Sequence, residues 1–221
     1  MKIESLRPQI CSKLANELGL EFLERLEMVI KNGFIEANLF VDGTFSSSEL
    51  GKQAVAKLQP DLLMDRFKSA AELSNHVATI EDTKPSGHKF VQVTTSSCVL
   101  VTMQRFSTNT PRAKFYGEKA INNLQYVVED SQLDLFSKIR GNVEIQNSHT
   151  FICMTSYWDN RTESLDLHFE VPHPTKSFIL MQFNLNELKE SVMQTMTEVA
   201  EESILTLLKR LDDEDDIQLE K

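Results

Sequence analysis

Apolar positions along the first third of the chain recur at helical spacing. Leu18, Phe22, Leu26, Val29 and Ile30 lie three and four apart, the stripe of an amphipathic helix. Gly33, after Lys31 and Asn32, reads as its stop signal. Residues 35–41 fit either a short strand or a further helical turn. Ser46, Ser47 and Ser48 offer an N-cap for a short helix through Leu58, which Pro60 closes. Pro60 and Asp61 open another helix, whose apolar face holds Leu63, Phe67, Ala70, Ala71, Leu73, Val77 and Ile80. Residues 83–87, Thr-Lys-Pro-Ser-Gly, are turn-forming chemistry and mark a boundary.

From His88 the period shortens to two. Residues 88–95 and 98–106 are rich in Val, Thr and Phe, with Ser96 and Ser97 between them, and predict a β-hairpin. Residues 113–124 fit a helix that Gly117 weakens. Three strand candidates follow, 151–158, 165–171 and 178–185, with short polar connections that imply an antiparallel meander. Leu165, Leu167 and Phe169 alternate with Asp166, His168 and Glu170, so this strand is expected to bury one face and wet the other. Asn184 or Asn186 caps a last helix over about 187–211, with Leu188, Val192, Met196, Val199 and Leu207 near one face. The acidic run 212–216 is expected to fray.

The pattern predicts an α+β fold: N-terminal helices, an antiparallel sheet of about five strands and a long C-terminal helix. It divides the chain into a helical part (1–83), a sheet with its C-terminal helix (84–211) and an acidic tail (212–221).

Composition narrows the function classes. The chain has 221 residues, enough to bury a core without disulfides or metals. Its formal net charge of −10 argues against non-specific binding to duplex nucleic acid, which needs a basic surface. Cys11, Cys98 and Cys153 are isolated, with no paired spacing, the usage of a reducing compartment. The first residues lack a secretory apolar segment, and no run approaches the ~18 apolar residues of a membrane span. The expected location is the cytoplasm, with no membrane partner.

Catalytic signals are absent. No two of the five His stand at i,i+4, and none joins a Cys/His cluster. His168 and Glu170 share the outer face of their predicted strand, which permits a site, though such a face is usually just solvated. There is no acidic-x-Lys pair of a metal nuclease on the strands, no nucleophile elbow and no phosphate-cradling glycine loop. No residue is therefore assigned a catalytic, cofactor-binding or metal-binding role. Arg105, Arg112 and Lys114, interleaved with Phe106, Phe115 and Tyr116, form a modest basic stretch able to touch single-stranded nucleic acid.

One short motif stands out. Gln132-Leu133-Asp134-Leu135-Phe136 resembles the peptide by which bacterial replication and repair proteins dock on the DNA sliding clamp. By average residue usage such a match arises by chance in roughly one chain in a thousand of this length, so it outweighs the other signals. The physical case is that of any short docking peptide: a few apolar anchors and one polar group fixing register. The resemblance implies that Gln132 fills a polar subsite and that Leu135 and Phe136 enter a hydrophobic cleft. Leu133 is secondary, and Asp134 stands where those peptides accept Ser or Asp. Polar flanks, Glu129-Asp130-Ser131 and the stretch from Ser137 to Asn142, suit presentation as a loop. The competing reading makes Leu133, Leu135 and Phe136 part of a buried run with Val127, Val128 and Ile139.

A second resemblance is looser. A hairpin, then Pro111-Arg112-Ala113-Lys114-Phe115, then QLDLF, then two or three strands is similar to a set of uncharacterised bacterial proteins, over about residues 88–190. The expectation is a non-enzymatic interaction protein of bacterial replication, docking on the clamp, with an accessory or mobile-element role. The alternatives are a nucleic-acid-binding protein or nuclease with a groove beside the β unit, and a scaffold or oligomer subunit in which QLDLF is packed.

Overall fold

A computed structural model describes residues 2–44, 48–82, 89–104, 120, 123, 149–159, 161–174 and 179–219. Among the described residues three helices, α1 (Lys2–Thr44), α2 (Ser48–Leu73) and α3 (Leu185–Leu219), accompany six strands. These are β1 (Val77–Asp82), β2 (Lys89–Thr94), β3 (Cys98–Gln104), β4 (Thr150–Asp159), β5 (Ser164–Pro172) and β6 (Ile179–Asn184). The fold is α+β. The strands lie in sequence order in one sheet. Two expectations about the sheet are corrected. It has six strands rather than about five, and β3 and β4 run parallel while every other neighbouring pair is antiparallel. A parallel neighbour needs a crossover, and the long connection between Gln104 and Thr150 supplies it.

The expected helix stripe is buried. Leu18, Phe22, Leu26 and Ile30 are at most 2% exposed, and Phe67, Ala70 and Ala71 of α2 are fully buried against them and the sheet. Gly33 does not stop α1. It lies where α2 crosses, and a Cβ there would stand 3.3 Å from Leu63 and 3.4 Å from Arg66, so the glycine serves close helix approach. The stretch 35–41 is helical. The true break in α1 is Gly19, at φ 75° and ψ 155°, a backbone region open essentially to glycine alone. The Nε2 of His76 lies 3.0 Å from the Leu18 carbonyl beside this break, and its ring meets Phe22 edge-on at 4.9 Å.

Pro60 neither ends nor starts a helix, because α2 continues through it; burial of Leu63 and Phe67 on α1 outweighs the lost backbone hydrogen bond. The helix stops earlier than Ile80. Asn75 adopts φ 61°, the His76 N–H donates to the Ala71 carbonyl at 2.9 Å, and the Asn75 N–H donates to Glu72 at 3.2 Å. This is a Schellman cap with Asn in the left-handed position. Leu73, Val77 and Ile80, expected on the helix face, are instead 61%, 67% and 54% exposed, with Val77 and Ile80 on the edge strand β1.

The hairpin β2–β3 and the meander β4–β5–β6 form as expected. Asn184 is the cap of α3. Its Oδ1 accepts the Glu187 N–H at 2.8 Å and Glu187 Oε2 accepts the Asn184 N–H at 2.8 Å, a closed capping box. The helix runs on through the acidic run 212–216 to Leu219 instead of fraying before it.

Two apolar clusters flank the sheet. The larger joins the helices to Val91, Val93, Leu100, Ile152, Met154, Phe169 and Phe183. The smaller, on the opposite face, holds Phe90, Val101, Phe151 and Cys153 with Ala120 of the crossover.

Candidate functional site

The residues singled out for partner binding, Gln132, Leu133, Asp134, Leu135 and Phe136, lie outside the described residues. So do Arg105, Arg112 and Lys114, and the predicted helix over 113–124 except Ala120 and Asn123. Asn123 and His149 are the described residues that bound this stretch in sequence. Asn123 is fully buried and lies 28 positions before Phe151, yet the two are bonded. The Phe151 N–H donates to Asn123 Oδ1 at 2.9 Å; Asn123 Nδ2 donates to the Phe151 carbonyl at 3.0 Å and to the Pro172 carbonyl at 2.9 Å.

The need for this side chain is visible in the register. The ladder of β4 and β5 ends at Cys153 with Glu170, two residues short of Phe151 and Pro172. Proline has no N–H to contribute to a ladder there. The Asn123 amide supplies the missing donor and accepts the Phe151 N–H as well. Asn123 and Phe151 are thus bonded to one another although residues 124–148 between them, QLDLF among them, lie outside the described residues.

The same sheet face changes character along its length. Tyr157 is 59% exposed and Asp166 is exposed, whereas Thr155, Glu170 and Cys153 are buried. The expectation that this face of β5 is wet therefore holds for Asp166 but not for Glu170, which is 2% exposed. It stands two residues from Pro172, at the end where Asn123 and Ala120 cover the sheet. Thr155 Oγ1 donates to Glu170 Oε1 at 3.4 Å from the neighbouring strand. His168 lies between the two regimes, and its Nε2 is 2.8 Å from Asp166 Oδ2. Asp166 can orient this imidazole, and the hydroxyl of Thr155, which faces His168 across the ladder, bonds Glu170 instead. Among the described residues no group of three or more His, Cys, Asp or Glu is placed to hold a metal ion. No described helix is long and apolar enough to cross a membrane.

Two further polar clusters tie α1 to the sheet and α3. Glu17 takes hydrogen bonds from the hydroxyls of Thr95, Ser96 and Ser97 and from the Ser97 N–H at the β2–β3 turn. Partial burial pushes its carboxyl up, but these hydrogen bonds together hold it below the ordinary glutamate value. Burial pushes the adjacent Cys98 thiol up, so it is not an activated nucleophile. Arg7 donates to Glu187 at 2.6 Å and to the Gln182 carbonyl of β6 at 3.0 Å, and its guanidinium lies 5.0 Å from the Phe183 ring centroid. Burial raises the Glu187 carboxyl, and the Arg7 and Asn184 hydrogen bonds with the Arg7 charge lower it further than that. Burial and the Glu187 charge push the Cys11 thiol up. These clusters close the joints of the fold. Sequence reading missed Asn123, and the proline two residues past Glu170 was the one signal that a ladder donor had to come from elsewhere.

Compared with known proteins, the chain matches no family model, no curated protein and no solved structure.

Proposed function

We propose that this protein is an interaction module that docks on a bacterial DNA sliding clamp through Gln132 to Phe136, with Leu135 and Phe136 as the anchors. The QLDLF match carries the reading. The polar flanks Glu129-Asp130-Ser131 and Ser137 to Asn142 support it, since a docking peptide must reach a partner's cleft. In this reading the protein is non-enzymatic and cytoplasmic, and its role is accessory to replication.

The test is binding of the purified protein to a sliding clamp, beside the Leu135→Ala/Phe136→Ala variant. The expected outcome is loss of binding in a variant whose thermal unfolding matches the parent. A variant that unfolds several degrees earlier would show that these side chains are packed within the protein. Retained binding by the folded variant would place the contact elsewhere.

A further inference from the structure

The long C-terminal helix uses only its first turns on the body of the protein. Leu185, Leu188 and Val192 are at most 6% exposed. From Met193 onward every described side chain except Thr195 is exposed, including Met193, Met196, Val199 and Ile204 at 48%, 60%, 58% and 57%. The helix nevertheless continues to Leu219. In proteins most helical stability comes from packing an apolar face, so these exposed apolar positions call for cover.

In the sequence, Met193, Ala200, Ile204, Leu207 and Leu211, with Thr197 between them, recur at alternating spacings of three and four, a heptad seam along the helix, with Met196 and Val199 outside it. The seam is symmetric about Glu202. Reversed on itself, it sets Met193 against Leu211, Thr197 against Leu207, and the small Ala200 against the larger Ile204. Each layer of an antiparallel pair thus joins a larger residue to a partner it can accommodate.

Charge selects the direction. Asp212 to Asp216, with Glu214 among them, carry five like charges in succession. Two parallel helices would lay these runs side by side, whereas the antiparallel arrangement puts them at opposite ends of the pair. We infer that the projecting half of α3 pairs antiparallel with the same segment of a second copy, making the protein a twofold-symmetric dimer with its two bodies at the ends of the helix pair.

Sedimentation equilibrium of the full chain at tens of micromolar tests this. The expected mass is twice the 25.2 kDa of one chain. Ile204→Glu, on the exposed part of the helix, is expected to halve that mass while leaving the unfolding temperature of the body unchanged. For direction, Ala200→Cys/Ile204→Cys is expected to cross-link between chains under a mild thiol oxidant, and Ile204→Cys alone is not. The native Cys11, Cys98 and Cys153 are buried and stay out of the reaction. A monomeric parent chain, an Ile204→Glu variant that remains dimeric, or cross-linking by Ile204→Cys alone would each overturn the inference.

Discussion

The described residues on the two faces of the sheet differ in kind. On one, α1, α2 and the start of α3 bury a continuous apolar cluster in which Phe22, Phe67, Phe169 and Phe183 are at most 1% exposed. On the other, the buried polar side chains Asn123, Thr155 and Glu170 join the described apolar residues Phe90, Val101, Phe151 and Cys153. The first face is held by area removed from water, which is non-directional and tolerant of detail. The second includes hydrogen bonds with one geometry each, from Asn123 to the backbone of Phe151 and Pro172.

The largest effect is expected on the helix side. Phe169→Ala empties a fully buried site and is expected to cost about 3–5 kcal/mol in denaturant unfolding. A much smaller loss would mean that this face is less tightly packed than its burial implies. Asn123→Ala sharpens the contrast. It removes few apolar contacts but takes three hydrogen bonds from the buried backbone of Phe151 and Pro172, so a loss of about 1–3 kcal/mol is expected. Asn123→Asp tests direction, because a carboxylate cannot donate to the Phe151 and Pro172 carbonyls and is expected to destabilise too. A neutral result from both would dissolve the distinction between the faces.

Gly19→Ala probes the one place where the helix side relies on backbone conformation. Nothing lies within 4 Å of the added Cβ, so the expected loss of about 1–3 kcal/mol is backbone strain and not a clash. The smallest effect concerns pH. Glu17 has its folded carboxyl held below its unfolded value, so its contribution is present above about pH 4.3 and is lost as pH falls through the lowered value. Glu17→Gln is therefore expected to lower the melting temperature near neutrality and to flatten its decline in acid. An unchanged acid slope would assign that decline to other carboxylates.

The sequence made the periodic parts of this molecule legible. Leu18 through Ile30 and the alternation of Leu165 to Phe169 each report one buried face, and both faces are where the pattern puts them. Boundaries were harder, since they rest on local chemistry that tertiary contact overrides. Gly33 resembles a stop signal but is a crossing point, Pro60 resembles a break but lies within a packed helix, and Asn75 is the real terminator. The parallel β3–β4 pair and buried Glu170 depend on contacts between segments far apart in the chain, which no local pattern carries. Asn123 looks like any loop residue until its side chain is seen bonded to the backbone of both Phe151 and Pro172. QLDLF is the reverse case, conspicuous as a motif with its surroundings outside the described residues.

The most direct test of the docking account is competition. The intact protein would be titrated onto a bacterial sliding clamp and then displaced with a synthetic peptide covering Glu129 to Ile139, beside the same peptide with Ala at the positions of Leu135 and Phe136. The account predicts saturable binding that the first peptide reverses and the second does not. Binding that neither peptide displaces, or no binding at all, would contradict it.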